Sequence, residues 1–298
     1  MTRTATAVPV TPLAGLRKVR RQGLRLAEMA LVVIGLSLTL VVVLAAVFGP
    51  ALAPYDPLAV DLPSRLLPPA PGGEPAHWLG TDQLGRDNLS RILHAARVTI
   101  AIALVAVVIS AAVGFAFGML SGFFLGTLDI VISRIVDVQL AFPTILLAIT
   151  IVAVFGSSIP MLIFVFVVAG WVRYVRIIRA QTLVLRETQF IEASRAVGAT
   201  SLRIIGKHIV PNLVTEIVIL MNLEVGRIIL IESSLSYLGL GVQPPLPTWG
   251  NMLNEGRLYL QTSWWVVTFP GLAIMASVLG INLLSEGLRS LYDPRQRR

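Results

Sequence analysis

The chain has 298 residues, of which 55% are hydrophobic and only 13% are charged, with a mean hydropathy of +0.81. Soluble domains usually carry about 25% charged residues, so the composition excludes a disordered chain and argues against an ordinary water-soluble enzyme. The net charge of +8 does not indicate a nucleic-acid partner, which needs a solvated basic face, and the lack of cysteine excludes disulfides and cysteine-ligated metals. We therefore expect a polytopic membrane protein whose basic residues lie in loops.

Long uncharged stretches predict six membrane-spanning helices, because a spanning helix needs roughly 20 apolar residues. The first lies within residues 29–55 and the second within residues 98–128. Residues 138–172 are too long for one span and contain turn-forming residues at 156–160, which gives helices at about 130–155 and 159–180. The fifth and sixth helices occupy about 209–231 and 264–284. The predicted fold is therefore all-α, with six transmembrane helices.

The distribution of basic residues predicts the orientation of these helices. Of the 24 lysines and arginines, 17 lie in the tail before residue 30, in the loop 173–207 and in the tail after residue 284, whereas five lie on the opposite side. Both termini are therefore predicted to be cytoplasmic. The alternative, that the first helix is a cleaved signal peptide, is disfavoured because its apolar run exceeds the roughly 7–15 residues of a signal core.

This topology predicts five segments along the chain. They are a cytoplasmic N-terminal tail (1–28), a first transmembrane helix (29–49), an extracytoplasmic loop (50–97), a five-helix core (98–290) and a cytoplasmic C-terminal tail (291–298). The sequence shows no long soluble domain and no repeat with a period of 20–50 residues. It also lacks an evident duplication into two halves, which weakly disfavours a secondary transporter.

The longest cytoplasmic loop, within residues 187–212, carries the most specific pattern. Its small and helix-forming residues predict a short helix that stops at a glycine, followed by a second helix that leads to a proline. Such a helical knob suits the transmission of a partner's motion, and the alternative is an amphipathic connector that lies on anionic lipid. The candidate residues are Glu192, Ala193, Ser194, Arg195, Ala196, Gly198 and Pro211.

This pattern resembles the EAA loop of ABC importer permeases, which docks into the nucleotide-binding subunit. Ser194 stands where the family pattern has alanine, and His208 stands where it has a hydrophobic residue. Four further segments, at residues 79–97, 137–149, 232–253 and 264–295, resemble the dipeptide, oligopeptide and nickel branch of these permeases, the DppC/OppC type. The resemblance runs from about residue 54 to residue 295.

The resemblance implies the type I ABC importer permease fold in the inner or cytoplasmic membrane of a cell. It also implies three kinds of partner: a second homologous permease that completes a heterodimer, two cytoplasmic ATPases and an extracytoplasmic solute-binding protein. The loop segment would then be the coupling helix, through which ATP binding drives alternating access. The cargo implied is a di- or oligopeptide, with glutathione, a nickel chelate or another small solute as the alternative.

The chemistry of ATP is expected to lie outside this chain. The sequence lacks the G-x-x-x-x-G-K-[ST] phosphate-binding loop, so ATP and Mg²⁺ are assigned to the partner subunits. It also lacks the H-E-x-x-H and G-x-S-x-G motifs, which disfavours an intramembrane enzyme. We expect no catalytic residue, no cofactor and no metal site in this chain.

Two other groups of charged residues are candidates for function. The resemblance suggests that the first external loop, with Asp82, Arg86 and Asp87, receives the binding protein, and the alternative is that these residues only pair with each other. The second group lies in the predicted third and fifth spans, where an unpaired charge is costly. Arg134 and Asp137 are three residues apart, as are Glu224 and Arg227, so each pair can share a helix face. We expect these residues to form structural ion pairs or a gate near the ATPase side, with substrate contact as the alternative: Asp129, Arg134, Asp137, Glu224 and Arg227.

Overall fold

The computed structural model describes residues 13–72 and 76–292. Within these residues the chain forms ten α-helices and no β-strand. A π-helical turn over Ile205–Ile209 joins α7 to α8. The helices are α1 (Leu13–Leu52), α2 (Asn88–Phe124), α3 (Gly126–Leu140), α4 (Thr144–Phe155), α5 (Ile159–Arg186), α6 (Gln189–Ala196), α7 (Ser201–Ile204), α8 (Val210–Tyr237), α9 (Trp249–Gly256) and α10 (Trp265–Tyr292).

Several of these helices are able to cross a membrane. Over the described residues, four are long and apolar enough: Met29–Leu52 of α1, all of α2 and α5, and Trp265–Gly287 of α10. Helices α3 and α4 qualify as one further span, although they meet at an angle of 85°. Helix α8 matches α5 in length, but three glutamates and an arginine are spread along it. The count by length and composition is therefore four or five, and the six-span count stays a prediction.

Three helix boundaries differ from those predicted. Helix α2 begins at Asn88 rather than at residue 98, because the Asp87 carboxylate caps it by accepting a hydrogen bond from the Ser90 N–H at 2.8 Å. The predicted third helix is divided into α3 and α4, since Pro143 has no N–H to continue α3 and stands instead at the start of α4. Helix α5 continues to Arg186, so residues 173–186 are helical and do not belong to the cytoplasmic loop.

The tails are only partly covered by the described residues. Helix α1 begins at Leu13, inside the segment predicted as an N-terminal tail. Helix α10 continues to Tyr292, two residues into the predicted C-terminal tail. The remainder of both predicted tails, residues 1–12 and 293–298, lies outside the described residues.

Helix α2 packs against α5 through a line of small residues. Gly114, Gly118 and Gly122 recur every four residues and so share one face of α2. A Cβ atom at Gly118 would lie 2.7 Å from the carbonyl oxygen of Val175, and one at Gly122 would lie 2.8 Å from that of Arg179. Small residues that let two backbones approach closely are a common basis of helix association in membranes. These contacts fix the position of α5, which carries the charged residues described below.

Candidate functional site

Helix α6 is a short exposed helix between the two long helices α5 and α8. It starts three residues after the end of α5 and ends where Gly198 adopts a φ of +84°, a left-handed conformation that suits glycine. Glycine therefore stops the helix, as the sequence predicted. Of the candidate residues in this segment, Ser194 is half-buried and the rest are exposed: Glu192, Ala193, Arg195, Ala196, Gly198 and Pro211.

One side chain fastens α6 to the helices behind it. Ile191 is fully buried and is the single buried residue of α6. It packs in a cluster with Phe123 of α2, Ile178 of α5 and Leu213 of α8, together with isoleucines 204, 205 and 209. The guanidinium of Arg195 lies over the Phe123 ring at 5.6 Å, a cation–π distance. Ile191 therefore connects α6 directly to three long helices.

The outer face of this segment is apolar as well as exposed. Phe190 is 45% exposed, Val197 is 89% exposed and Leu202 is 81% exposed. Among the apolar residues Phe190, Ile191, Ala193 and Val197, only Ile191 is buried. Apolar side chains left in the open beside charged ones are typical of a surface that another protein covers.

The two departures from the family pattern are accommodated locally. The Ser194 hydroxyl donates to the carbonyl oxygen of Phe190 at 2.8 Å, so the extra polar group is satisfied within the helix. The His208 ring packs against the Phe190 ring, with 5.8 Å between their centroids. An apolar side chain is usual at this position in the family pattern, and His208 replaces it by making an aromatic contact.

The charged residues of α3 pair with arginines of α5. Asp129 accepts two hydrogen bonds from the Arg179 guanidinium, at 2.6 and 2.7 Å. Asp137 pairs with Arg176 at 3.2 Å. The expected pairing of Arg134 with Asp137 is wrong: Arg134 is exposed and contacts no carboxylate among the described residues, because the closer guanidinium comes from α5.

Two charged residues of α8 and one of α5 form a cluster of three. The Glu224 carboxylate is 2% exposed and pairs with Arg227 at 2.9 Å, as the three-residue spacing predicted. Its other oxygen pairs with Arg173 of α5 at 2.5 Å. Two guanidinium groups therefore share one buried carboxylate, and the three side chains together carry one positive charge.

The external-loop residues are buried, in contrast to the expectation that they contact a binding protein. Asp82 is fully buried and accepts a hydrogen bond from Arg86 at 2.7 Å and another from Arg91. Both arginines also pair with Glu255 of α9, at 2.6 and 2.9 Å. These charges are satisfied inside the chain, so they fix the loop against α9 and are not available to a partner.

Asp87 belongs to the same buried region but has different partners. Its carboxylate caps α2 and pairs with His77 at 2.9 Å. The alternative of internal pairing is therefore correct in part: Asp82 pairs with Arg86, whereas Asp87 does not pair with either of them.

Sequence reasoning missed the four arginines that complete these pairs. Arg91 was assigned to a loop, and Arg173, Arg176 and Arg179 to the cytoplasmic side. The missing signal was their spacing: Arg173, Arg176 and Arg179 are three residues apart, so they occupy neighbouring positions on one helix.

The sequence matches two family models. Residues 114–298 match the model described as "Binding-protein-dependent transport system inner membrane component". Residues 23–69 match the model described as "N-terminal TM domain of oligopeptide transport permease C". Together they include most of α1, the end of α2, the α6 segment and every charged pair of α3, α5 and α8.

Similar proteins are transport permeases. The "Di/tripeptide transport system permease protein DppC" of Pseudomonas aeruginosa is 41% identical over 263 residues, 88% of this chain and 87% of that protein. The "Glutathione transport system permease protein GsiD" of Pectobacterium atrosepticum is 42% identical over 224 residues, 75% of this chain and 74% of that protein.

The fold has a solved counterpart. A chain from inward-facing structures of the MetNI methionine ABC transporter superposes with a TM-score of 0.56 at 19% identity, covering 68% of this chain and 96% of that one. At this identity the likeness concerns the fold alone, which is that of the type I ABC importer permeases. With the family match over residues 114–298 and relatives above 40% identity, the chain belongs to the family of inner membrane components of binding-protein-dependent transport systems.

Proposed function

We propose that this chain is the permease subunit of an ATP-driven importer of di- or oligopeptides, with α6 as the coupling helix. Its partners would be a second homologous permease, two cytoplasmic ATPases that bind ATP and Mg²⁺, and an extracytoplasmic solute-binding protein. Both termini and α6 would lie on the cytoplasmic side. The observation that carries the proposal is α6 itself, an exposed helix fastened by Ile191 to three long helices.

The surface of this segment supports a protein partner rather than lipid. Val197 and Leu202 are almost fully exposed, and the acidic Glu192 stands on the same short helix as Arg195. An amphipathic connector on anionic lipid would place basic residues together on its polar face, and an exposed carboxylate would weaken that contact. Mixed charge beside exposed apolar side chains suits a cleft in another subunit.

The peptide cargo rests on the relatives. The Pseudomonas relative is named for di- and tripeptide transport, and it aligns over most of both chains. The Pectobacterium relative is named for glutathione transport and is equally similar over a shorter stretch. Glutathione is therefore the second candidate cargo, and peptide and glutathione import share the same subunit arrangement and the same coupling helix.

The coupling role is tested with two substitutions in the α6 segment. Glu192→Arg reverses an exposed charge, and Gly198→Trp places a bulky side chain at a φ that costs an L-residue about 1–2 kcal/mol. Each is expected to lower ATP-dependent peptide uptake by about tenfold, the equivalent of about 1.4 kcal/mol, with normal membrane insertion. Glu286→Arg, at an exposed carboxylate on α10, is the matched control. Normal uptake by both α6 variants would refute the coupling role.

A further inference from the structure

A cavity opens where the bent pair α3–α4 faces α5 and α8. Its volume is about 330 Å³. Its lining includes the side chains of three arginines, Arg173 and Arg176 from α5 and Arg227 from α8, together with Phe142 and Thr144 at the bend. No carboxylate is part of the lining in the described residues, although Glu224 and Asp137 pair with the lining arginines. A small apolar and cationic space at a broken helix is where transporters commonly place a binding site.

The charges around this cavity do not cancel. Arg173 and Arg227 share the single carboxylate of Glu224, and Arg176 pairs with the carboxylate of Asp137. Three guanidinium groups against two carboxylates leave one positive charge. Charged side chains within membrane segments usually pair with one another. These three arginines and two carboxylates therefore need one further negative charge to be neutral.

The start of α4 adds to the positive potential at the same place. Helix α4 has 12 residues and begins at Thr144, and no side chain caps its first turn because the preceding residue is Pro143. The Arg227 guanidinium lies 3.5 Å from the Thr144 hydroxyl, so the helix start and the guanidinium face the same space. The amino end of a helix favours a negative group.

We propose that this cavity binds the carboxylate of the transported peptide, with Arg173 and Arg227 as its direct partners. Their side chains are 52% and 27% exposed, whereas Glu224 is 2% exposed, so both guanidinium groups keep donors free to reach a ligand while holding the buried glutamate. The carboxylate supplies the missing negative charge and allows a bidentate contact. The inference rests on the proposed function, because it takes a peptide as the cargo.

The test measures binding of radiolabelled alanyl-alanine to the assembled, nucleotide-free transporter in nanodiscs of phosphatidylcholine. The competitors are unlabelled alanyl-alanine and its C-terminal amide, which lacks the carboxylate. In the wild-type transporter the acid is expected to displace the label about tenfold better than the amide, the difference expected for one charge-assisted hydrogen bond. The neutral, zwitterionic lipid provides no anionic headgroup beyond its own paired phosphate.

Single substitutions locate the effect. Arg173→Gln and Arg227→Gln each remove the excess charge but leave Glu224 with one arginine, so the buried carboxylate keeps a partner and the preference for the acid is expected to disappear. Arg227→Lys retains the charge and is expected to keep most of the preference. Arg134→Gln, an exposed arginine that does not line the cavity, is the control and should behave as wild type.

The outcomes separate this inference from the proposed function. Uptake of alanyl-alanine into proteoliposomes with ATP and the binding protein is measured on the same wild-type transporter. Absent uptake would refute the peptide-importer proposal. Normal uptake combined with no saturable binding, with equal displacement by acid and amide, or with an unchanged preference in both glutamine variants would refute the cavity assignment alone.

Discussion

Helix α6 has a single buried side chain, so its attachment to the long helices can be tested by one substitution. Ile191→Ala removes the single buried side chain of α6, from a site that is 0% exposed. Truncation of a buried isoleucine to alanine costs about 2–5 kcal/mol. An isolated helix of eight residues is not stable in water, so the loss falls on the docking of α6 against α2, α5 and α8. If docking is weakened by about 3 kcal/mol, the fraction of molecules in which α6 is detached rises about 150-fold.

The assay combines hydrogen exchange with transport. In the assembled transporter, the backbone amides of residues 189–197 are expected to exchange much faster in Ile191→Ala, whereas those of α2 and α5 should not change. ATP-dependent uptake should fall while ATP hydrolysis continues, because a detached α6 no longer passes motion to the long helices. Leu258→Ala is the control: its side chain is 81% exposed and lies outside the α6 segment, so hydrogen exchange in α6 should be unaffected.

Two outcomes would refute this reasoning. If exchange and uptake are both unchanged, Ile191 is not the anchor of α6. If exchange accelerates equally in α2, α5 and α6, the substitution loosens the whole bundle and the local argument fails. Ile191→Val provides a graded check, because this smaller truncation costs about 0.5–1.5 kcal/mol and should give an intermediate effect.

Two further predictions concern stability. Gly118→Leu is expected to separate α2 from α5 and to lower the midpoint of thermal unfolding in detergent, since even a Cβ would lie 2.7 Å from a carbonyl oxygen of α5. Gly206→Leu is the control and should have little effect, because a Cβ at Gly206 would meet open space. Asp82→Asn is expected to lower the free energy of unfolding by about 3–5 kcal/mol, because it leaves the two buried arginines with one shared carboxylate. Limited proteolysis of the external loop should then be faster. The exposed Asp61→Asn is its control, and equal proteolysis of both variants would contradict the buried-cluster argument.

Local patterns in the sequence were sufficient to predict most of the long helices and the α6 segment. Apolar runs and glycine or proline signals act within a few residues, so Gly198 correctly ended α6. A proline at position 143 predicts a kink or a helix start, and α4 does start there. The 85° angle between α3 and α4 was not predicted, because the residues on both sides of Pro143 are apolar and fit one continuous span. The direction that the chain takes after such a break depends on packing against α5. Residues that are neighbours in the sequence carry no information about that packing.

Charged residues were harder to place because their partners are distant in the sequence. Asp129 and Arg179 are 50 residues apart, and Asp82 and Glu255 meet through arginines across more than 160 residues. Sequence spacing found the pair that lies on one helix, Glu224 and Arg227, and failed for Arg134 and Asp137, whose spacing is the same. An arginine of α5 pairs with the carboxylate in both cases. The difference is burial: Glu224 is 2% exposed and holds an arginine on each oxygen, whereas Asp137 is 57% exposed and water can reach its carboxylate.

Helix α5 links the two functional regions physically. Its 28 residues span about 42 Å at 1.5 Å per residue, and its end at Arg186 is followed almost immediately by α6. Arg179 and Arg176 pair with α3, while Arg173 pairs with α8, so successive arginines turn around the helix from one neighbour to the other. A tilt or rotation of α5 driven at α6 must therefore lengthen some of these pairs and shorten others. In the proposed importer, the cavity that Arg173 and Arg176 line would then change its hold on an anion as α6 moves, which would join cargo release to the state of the ATPases.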